Sequence, residues 1–221
     1  MTTIERLAVV GGTGPHGRGL AHRLAMAGCT VVVGSRDAAR AEGVAAAIRE
    51  ATGSVRVHAA ENARAVVDAD AVILAIPADG LADMLVQLRE PLAGRIVIDV
   101  VVPLAMRDGV VEHAPPSTAG SAGELIQRAL PASRVVSAFK TIPAVELGRV
   151  ERPVDGDVLV CGEDAGARAS VAALAERIPR LRAVDAGRLR NVRSVEGITA
   201  LLVNLNRAHH AHTSIRILGV G

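Results

Sequence analysis

The 221-residue chain has no tryptophan, no tyrosine and a single phenylalanine, Phe139. Ring platforms for stacking bases or flavins are therefore missing, and core volume must come from aliphatic side chains. Lysine is nearly absent as well. Lys140 is the one lysine among 25 basic residues, and the rest are arginine. The Ala, Arg, Gly and Val bias matches a GC-rich genome, so surface arginines carry little information and the lone lysine carries more. The two cysteines, Cys29 and Cys161, give neither a metal-ligand spacing nor a disulfide framework. A net charge of +2 with both signs interspersed offers no nucleic-acid footprint. Apolar runs fall short of a membrane span, and "MTTIERLAVV" leads into a strand without a signal-peptide pattern. A cytoplasmic protein acting on small molecules is expected, with neither nucleic acid nor membrane as partner.

Half the residues are apolar, and they alternate between short β-branched runs and Ala-rich helical stretches. Strands are expected at 6–11, 30–34, 54–59, 70–77, 95–103 and 134–140. Helices are expected at 17–28, 37–52, 61–69 and 81–92, with Asp37 as an N-cap. Strands that are apolar throughout are buried on both faces, as in a parallel sheet covered by helices. The fold class is α/β, a doubly wound parallel sheet. The Gly-, Pro- and Ser-rich stretch 106–123 reads as a loop before the helix "ELIQRAL". Beyond residue 145 the texture changes. Strands at 157–162, 181–187 and 213–218 and helices at 165–178 and 191–212 suggest a small C-terminal α/β domain. The expected domains are 1–145 for dinucleotide binding and 146–221 completing a substrate cleft.

The motif "VVGGTGPHGRGL" joins the first strand to the first helix. Gly12, Gly14 and Gly17 match G-x-G-x-x-G: the first for a tight turn, the second for close approach of a pyrophosphate, the third for helix–strand packing. A helix N-terminus there offers free N–H groups to the diphosphate. The second strand ends in "VVVGSRDAAR". An enzyme specific for NAD places a carboxylate at that edge to accept from the ribose 2′-OH. This chain offers Ser35 and Arg36 instead, with Arg40 one turn later. A guanidinium forks onto phosphate, so these three residues predict NADP.

With those residues read, the chain resembles the NADP reductases that use the deazaflavin coenzyme F420. The resemblance runs in order through "GGTGPHGRGLAHRLAMAG", "VVVGSRDAAR", "AVILAIP", "SAFKTIPA", "DVLVCGEDA" and "DAGRLRNVRSVEGITALLVNLN". It implies a Rossmann domain with a small C-terminal domain, a homodimer, and direct hydride transfer between nicotinamide and deazaflavin. It assigns Thr13, Gly14, Pro15 and His16 to the dinucleotide phosphates, and Ser35, Arg36 and Arg40 to the 2′-phosphate. Ile76 and Pro77 would line the ribose and nicotinamide, Ala138 would lie near the nicotinamide, and Ile142 near the deazaflavin. The chain departs from the family pattern at Lys140, where histidine is common, and at Val102, where a polar residue is common.

Lys140 is expected to act as an electrostatic partner of an anionic deazaflavin, since it ends the strand nearest the cleft. Two other functions fit the residues: an NADPH-dependent reductase of a small imine or ketone with Lys140 as proton donor, and a non-catalytic NADP-binding redox sensor. His209, His210 and His212 cannot share one helix face and have no carboxylate or cysteine nearby, so no metal site is read there. Glu196 reads as a buried structural hydrogen-bond partner. Asp99 reads equally as a loop cap or a site residue.

Overall fold

The computed structural model describes residues 2–220. Strand β1 (Arg6–Val10) shows how the sheet is built. Its residues alternate in direction, so Leu7 and Val9 enter one apolar layer while Ala8 and Val10 enter the other. The same alternation runs through β2 (Thr30–Ser35), β4 (Ala71–Leu74) and β5 (Ile96–Asp99). Strands β3 (Val57–Glu61), β8 (Arg134–Ser137), β9 (Gly156–Gly162) and β10 (Leu181–Asp185) complete an eight-stranded sheet in the order β10-β9-β8-β5-β4-β1-β2-β3. The β8–β9 pair is antiparallel, and every other neighbouring pair in this sheet is parallel.

Helices α1 (Pro15–Met26), α2 (Ala38–Thr52) and α7 (Ala165–Glu176) cover one face. Helix α1 starts on proline, whose missing N–H costs nothing at that position. Helix α2 is capped by Asp37, which accepts from the Arg40 amide at 3.1 Å, and it stops at Gly53, a left-handed residue with φ +64°. The other face carries α3 (Asn62–Ala65), α4 (Leu81–Leu88), α5 (Ala122–Ala129) and the start of α8 (Val192–His209). The short helix α6 (Ala144–Gly148) packs on α1, where a Cβ on Gly19 would lie 2.6 Å from the Cβ of Leu147.

Two expectations are corrected. Residues 106–123 are not all loop: β6 (Leu104–Arg107) and β7 (Val110–His113) form an antiparallel hairpin. Its two-residue turn, Asp108-Gly109, has both φ angles positive, a hairpin signal at the start of a Gly-, Pro- and Ser-containing stretch. Conversely, residues 213–218 form no strand. The segment passes the start of β9, where Asp157 N–H donates to the Ile215 carbonyl, and regular pairing goes no further. The boundary expected at residue 145 falls between β8 and β9. The elements after it continue the same sheet and the same two apolar layers.

Candidate functional site

Strands β2 and β3 follow β1 to one side, while β4, β5 and β8 run to the other. The loops leaving β1 and β4 therefore part at their carboxyl ends and open a crevice at the switch point. The glycine loop lines one side of it. Gly11 takes the left-handed turn, with φ +75°, and a Cβ there would sit 2.5 Å from the Ala75 carbonyl oxygen. Gly12 has no positive φ; a side chain on it would meet the Val9 carbonyl at 2.8 Å. The tight turn thus belongs to Gly11, and Gly12 serves close packing instead. A Cβ on Gly17 would lie 2.8 Å from the Gly11 carbonyl oxygen and 3.0 Å from Ala75 Cβ, so its absence lets α1 sit close to the crossing strands. A Cβ on Gly14 would meet, among the described residues, only the Gly11 oxygen at 3.5 Å, so the missing side chain leaves a cradle open. No side chain caps α1 at Gly14, which leaves its first N–H groups for a ligand.

The crevice has two lobes. The first, about 690 Å³, is lined by Thr13, Gly14, Ser35, Arg36, Arg40 and Asn62 among others. Ser35 is buried at the end of β2, where its hydroxyl accepts from the Asp37 amide at 3.2 Å. Arg36 and Arg40 are exposed at the mouth. The second lobe, about 460 Å³, is mostly aliphatic: Val100–Val102, Ile142–Val145, and Leu202 and Val203 from α8. Gly14, Ala75, Ile76 and Pro77 line both lobes, so the two cavities meet at the end of β4.

Beneath the second lobe lies a buried ionic cluster. After β8 the chain turns at Phe139, whose ring is fully buried and whose φ is +58°. A left-handed L-residue costs about 1–2 kcal/mol, here offset by burial of the largest core side chain. The next residue, Lys140, has a side chain with no solvent exposure. Its ammonium lies 2.7 Å from Asp99 Oδ2 and 3.0 Å from Glu196 Oε1, and it donates to the Val101 carbonyl. Asp99 also accepts from Ser137 Oγ at 2.5 Å and from the Val101 amide at 2.9 Å. Glu196 accepts from the first amide of α5, Ala122, at 3.1 Å and lies 2.7 Å from His113 Nε2. Both carboxylates are fully buried. Thr199, one turn beyond Glu196 on α8, donates to the Lys140 carbonyl at 3.2 Å. One lysine thereby joins β5, β8 and α8.

A family model described as "NADP oxidoreductase coenzyme F420-dependent" matches residues 6–103. The F420-dependent NADP reductase of Methanocaldococcus jannaschii is 39% identical over 220 residues, covering 96% of this chain and 97% of the relative. The chain belongs to the F420-dependent NADP reductase family. A second member, from Methanothermobacter thermautotrophicus, is 38% identical, with 97% and 95% of the two chains covered. In three dimensions, a crystal structure described as a candidate F420-dependent NADP reductase from Arthrobacter sp. FB24 superposes with a TM-score of 0.80. It is 28% identical and covers 99% of this chain and 100% of its own.

Against that family background, the residues singled out in the sequence divide by lobe. Thr13, Gly14, Ser35, Arg36, Arg40, Ile76 and Pro77 come together around the first lobe. Pro15 and His16 turn toward the second lobe, as does Ile142. His16 is half-buried as a residue, but its Nε2 is sealed from solvent and has no partner among the described residues. Burial, and then the Lys140 ammonium, push this imidazole down to about 4, so it is neutral at pH 7. Gly12 and Gly17 stand behind the wall, and Ala138 is buried with its amide on the Asp99 carbonyl at 3.1 Å. The Lys140 ammonium faces Asp99 and Glu196 in the interior. Lys140 also counts among the residues lining the second lobe, so the cluster lies directly against that cavity. Of the C-terminal histidines, His212 lies at the mouth of the second lobe, while His209 and His210 end α8.

Sequence reading missed Asn62 and His113. Asn62 is buried at the start of α3, with its Oδ1 3.4 Å from the Gly11 amide and 2.9 Å from where a Gly34 Cβ would be. The sequence showed an asparagine just after a strand, and its burial against Gly11 and Gly34 came only with the fold. His113 sits at the end of the hairpin that read as loop, so nothing local marked it.

Proposed function

We propose that this chain transfers a hydride between NADP(H) and the deazaflavin coenzyme F420. The observation that carries this is the meeting of two lobes at Gly14, Ala75, Ile76 and Pro77. A dinucleotide lying along the glycine loop would bring its nicotinamide to that junction. A second flat ring held by the aliphatic walls would face it there. Hydride exchange between stacked rings needs no covalent catalyst, and positioning in a water-poor cleft supplies most of the rate.

Within this reading, Gly12, Thr13, Gly14 and Gly17 form the diphosphate cradle. The Gly14 cradle and the uncapped start of α1 support the fit. Pro15 and His16 complete the loop, and His16 contributes as a neutral imidazole. Ser35, Arg36 and Arg40 hold the 2′-phosphate. Ile76 and Pro77 flank the nicotinamide, Ala138 backs it from within the sheet, and Ile142 meets the deazaflavin. The segments 1–145 and 146–221 supply mainly the dinucleotide lobe and mainly the outer wall of the second lobe. Lys140 acts as a positioning residue: it holds the Val101 carbonyl and α8, whose neighbouring side chains wall the second lobe. The ammonium is hydrogen-bonded to the Val101 carbonyl and Glu196 and ion-paired with Asp99, which disfavours Lys140 as proton donor to an imine or ketone.

A homodimer and a cytoplasmic location complete the reading. Leu104, Met106, Leu201 and Leu205 are exposed on the hairpin and α8, apolar surface that a partner copy would cover. Among the described residues no helix is long and apolar enough to cross a membrane. The direct test is stopped-flow mixing of the purified protein with NADPH and F420. Loss of the deazaflavin absorbance in the presence of NADPH supports the assignment. No change with F420, alongside turnover of imines or ketones, defeats it.

A further inference from the structure

The second lobe does not end at its aliphatic walls. His212 at its mouth also lines an adjoining surface cavity of about 490 Å³, which is polar where the lobe is apolar. Arg149 and Arg152 line that cavity, with Glu146 and Asp155 as its acids. Glu146 alone is shared between both guanidiniums, at 2.7 Å from Arg149 Nη1 and 2.6 Å from Arg152 Nη2. Asp155 is already held by Arg180 and Arg216. Each of these acids is thus paired with two arginines, those on Asp155 lying outside the cavity lining. A guanidinium has five donors, and most of those on Arg149 and Arg152 have no partner among the described residues.

The backbone that presents these two arginines is fixed from below. Arg23, a buried residue of α1, donates through Nε to the Leu147 carbonyl at 2.9 Å. Its Nη2 lies 2.7, 2.9 and 3.0 Å from the carbonyls of Glu146, Arg149 and Arg152. Four acceptors on one buried guanidinium hold the end of α6 and the turn after it in one shape. The opposite wall is held as well, since Ser214 Oγ donates to the Asp155 carbonyl at 2.7 Å. A preorganised pair of half-free arginines beside an apolar ring site suits an oxyanion attached to that ring.

We infer that Arg149 and Arg152 form a subsite for the anionic tail of the second substrate, its phosphate or the carboxylates beyond it. This rests on the proposed deazaflavin reading and extends it outward from the ring. The test compares two substrates with NADPH: intact F420, and a truncated deazaflavin that ends at its sugar-alcohol hydroxyl and lacks phosphate. Wild-type protein should show a lower KM for the intact coenzyme, and the difference should shrink as salt rises. Arg149→Gln and Arg152→Gln should each raise the KM for intact F420 roughly three- to ten-fold, the range of a partly exposed charge-assisted contact. Both variants should leave kcat, NADP affinity and the kinetics of the truncated substrate unchanged. Equal KM values for both substrates in the wild type would overturn the subsite. So would variants that affect both substrates alike, or neither. Failure of the parent reading looks different, because wild-type protein would then turn over neither deazaflavin.

Discussion

The two lobes of the crevice are built by opposite means. The dinucleotide lobe is the more local: two short stretches, residues 11–14 and 35–40, supply half of its lining, and residues 62–84 supply the rest. Its glycines are set by contacts within a few residues or with the adjacent strand, such as Gly17 on Gly11 and Gly12 on Val9. The second lobe is assembled from distant segments. Residues 100–102, 140–145, 199–206 and 212–213 converge on it, and the Lys140 cluster ties three of those segments together. A motif can carry the first kind of site within its own stretch of chain. The second kind exists only after the sheet has formed.

The sharpest way to break this contrast is Lys140→Met. Two fully buried carboxylates would lose their ammonium, and unpairing a buried ion cluster costs about 3–5 kcal/mol. For a chain of this size that is a fall in Tm of roughly 6–20 °C. Thermal unfolding should report it, and adding Glu196→Gln to the variant should recover part of the loss. Whatever folded protein remains should bind NADP normally. A stable Lys140→Met protein with the wild-type Tm would mean that the cluster holds nothing together.

Gly14→Val should do the reverse. The new Cβ meets the Gly11 oxygen at an ordinary van der Waals distance of 3.5 Å, so stability should hold. NADP affinity should fall by at least about 100-fold, near 2.7 kcal/mol or more. Calorimetric titration of the folded variant measures this. Retained affinity would remove the dinucleotide from the glycine loop.

Arg36→Ala sharpens the first lobe further. Losing a charge-assisted fork should cut the preference for NADP over NAD by roughly 1.5–3 kcal/mol, leaving the Tm unchanged. The comparison of the two dissociation constants decides it. A wild-type protein that binds both dinucleotides equally would refute the role of Ser35, Arg36 and Arg40.

The smallest effect is the pH response of His16, which lines the second lobe. Its folded value lies near 4, below the ordinary 6.5, so the unfolded chain binds the proton more readily. The neutral form is favoured in the fold, full stability is present above about pH 6.5, and it declines as pH falls toward 4. His16→Asn should remove that decline and gain roughly 1–2 kcal/mol relative to wild type at pH 4–5, after discounting for partial exposure. Denaturant midpoints at pH 7 and pH 4.5 test this. Parallel pH curves for the two proteins would mean that His16 protonates freely in the folded state.

Several features were legible without coordinates. The alternation of apolar runs announced the sheet, and Ser35 and Arg36 at the edge of β2, where an NAD enzyme places an acid, pointed to NADP. Asp37 was readable as a cap because capping spans three residues, the distance from its carboxylate to the Arg40 amide. The hairpin was not, because the Gly-, Pro- and Ser-containing stretch that it begins masked one Asp-Gly turn. The strand expected at 213–218 failed for the opposite reason. Its residues are suited to a strand, but Asp157 and Arg182 take over the polar backbone groups that a partner strand would use.

Local chemistry along the chain thus determined the fold class, the phosphate loop and the charge that meets the 2′-phosphate, since each depends on residues within about one βα unit. Only the tertiary structure decided the fate of Lys140. The sequence marked it as singular and placed it at a strand end facing the cleft. It could not reveal that Asp99, 41 positions earlier, and Glu196, 56 positions later, would be waiting there. A buried charge is defined by what surrounds it, and its surroundings come from segments that only the folded sheet brings together.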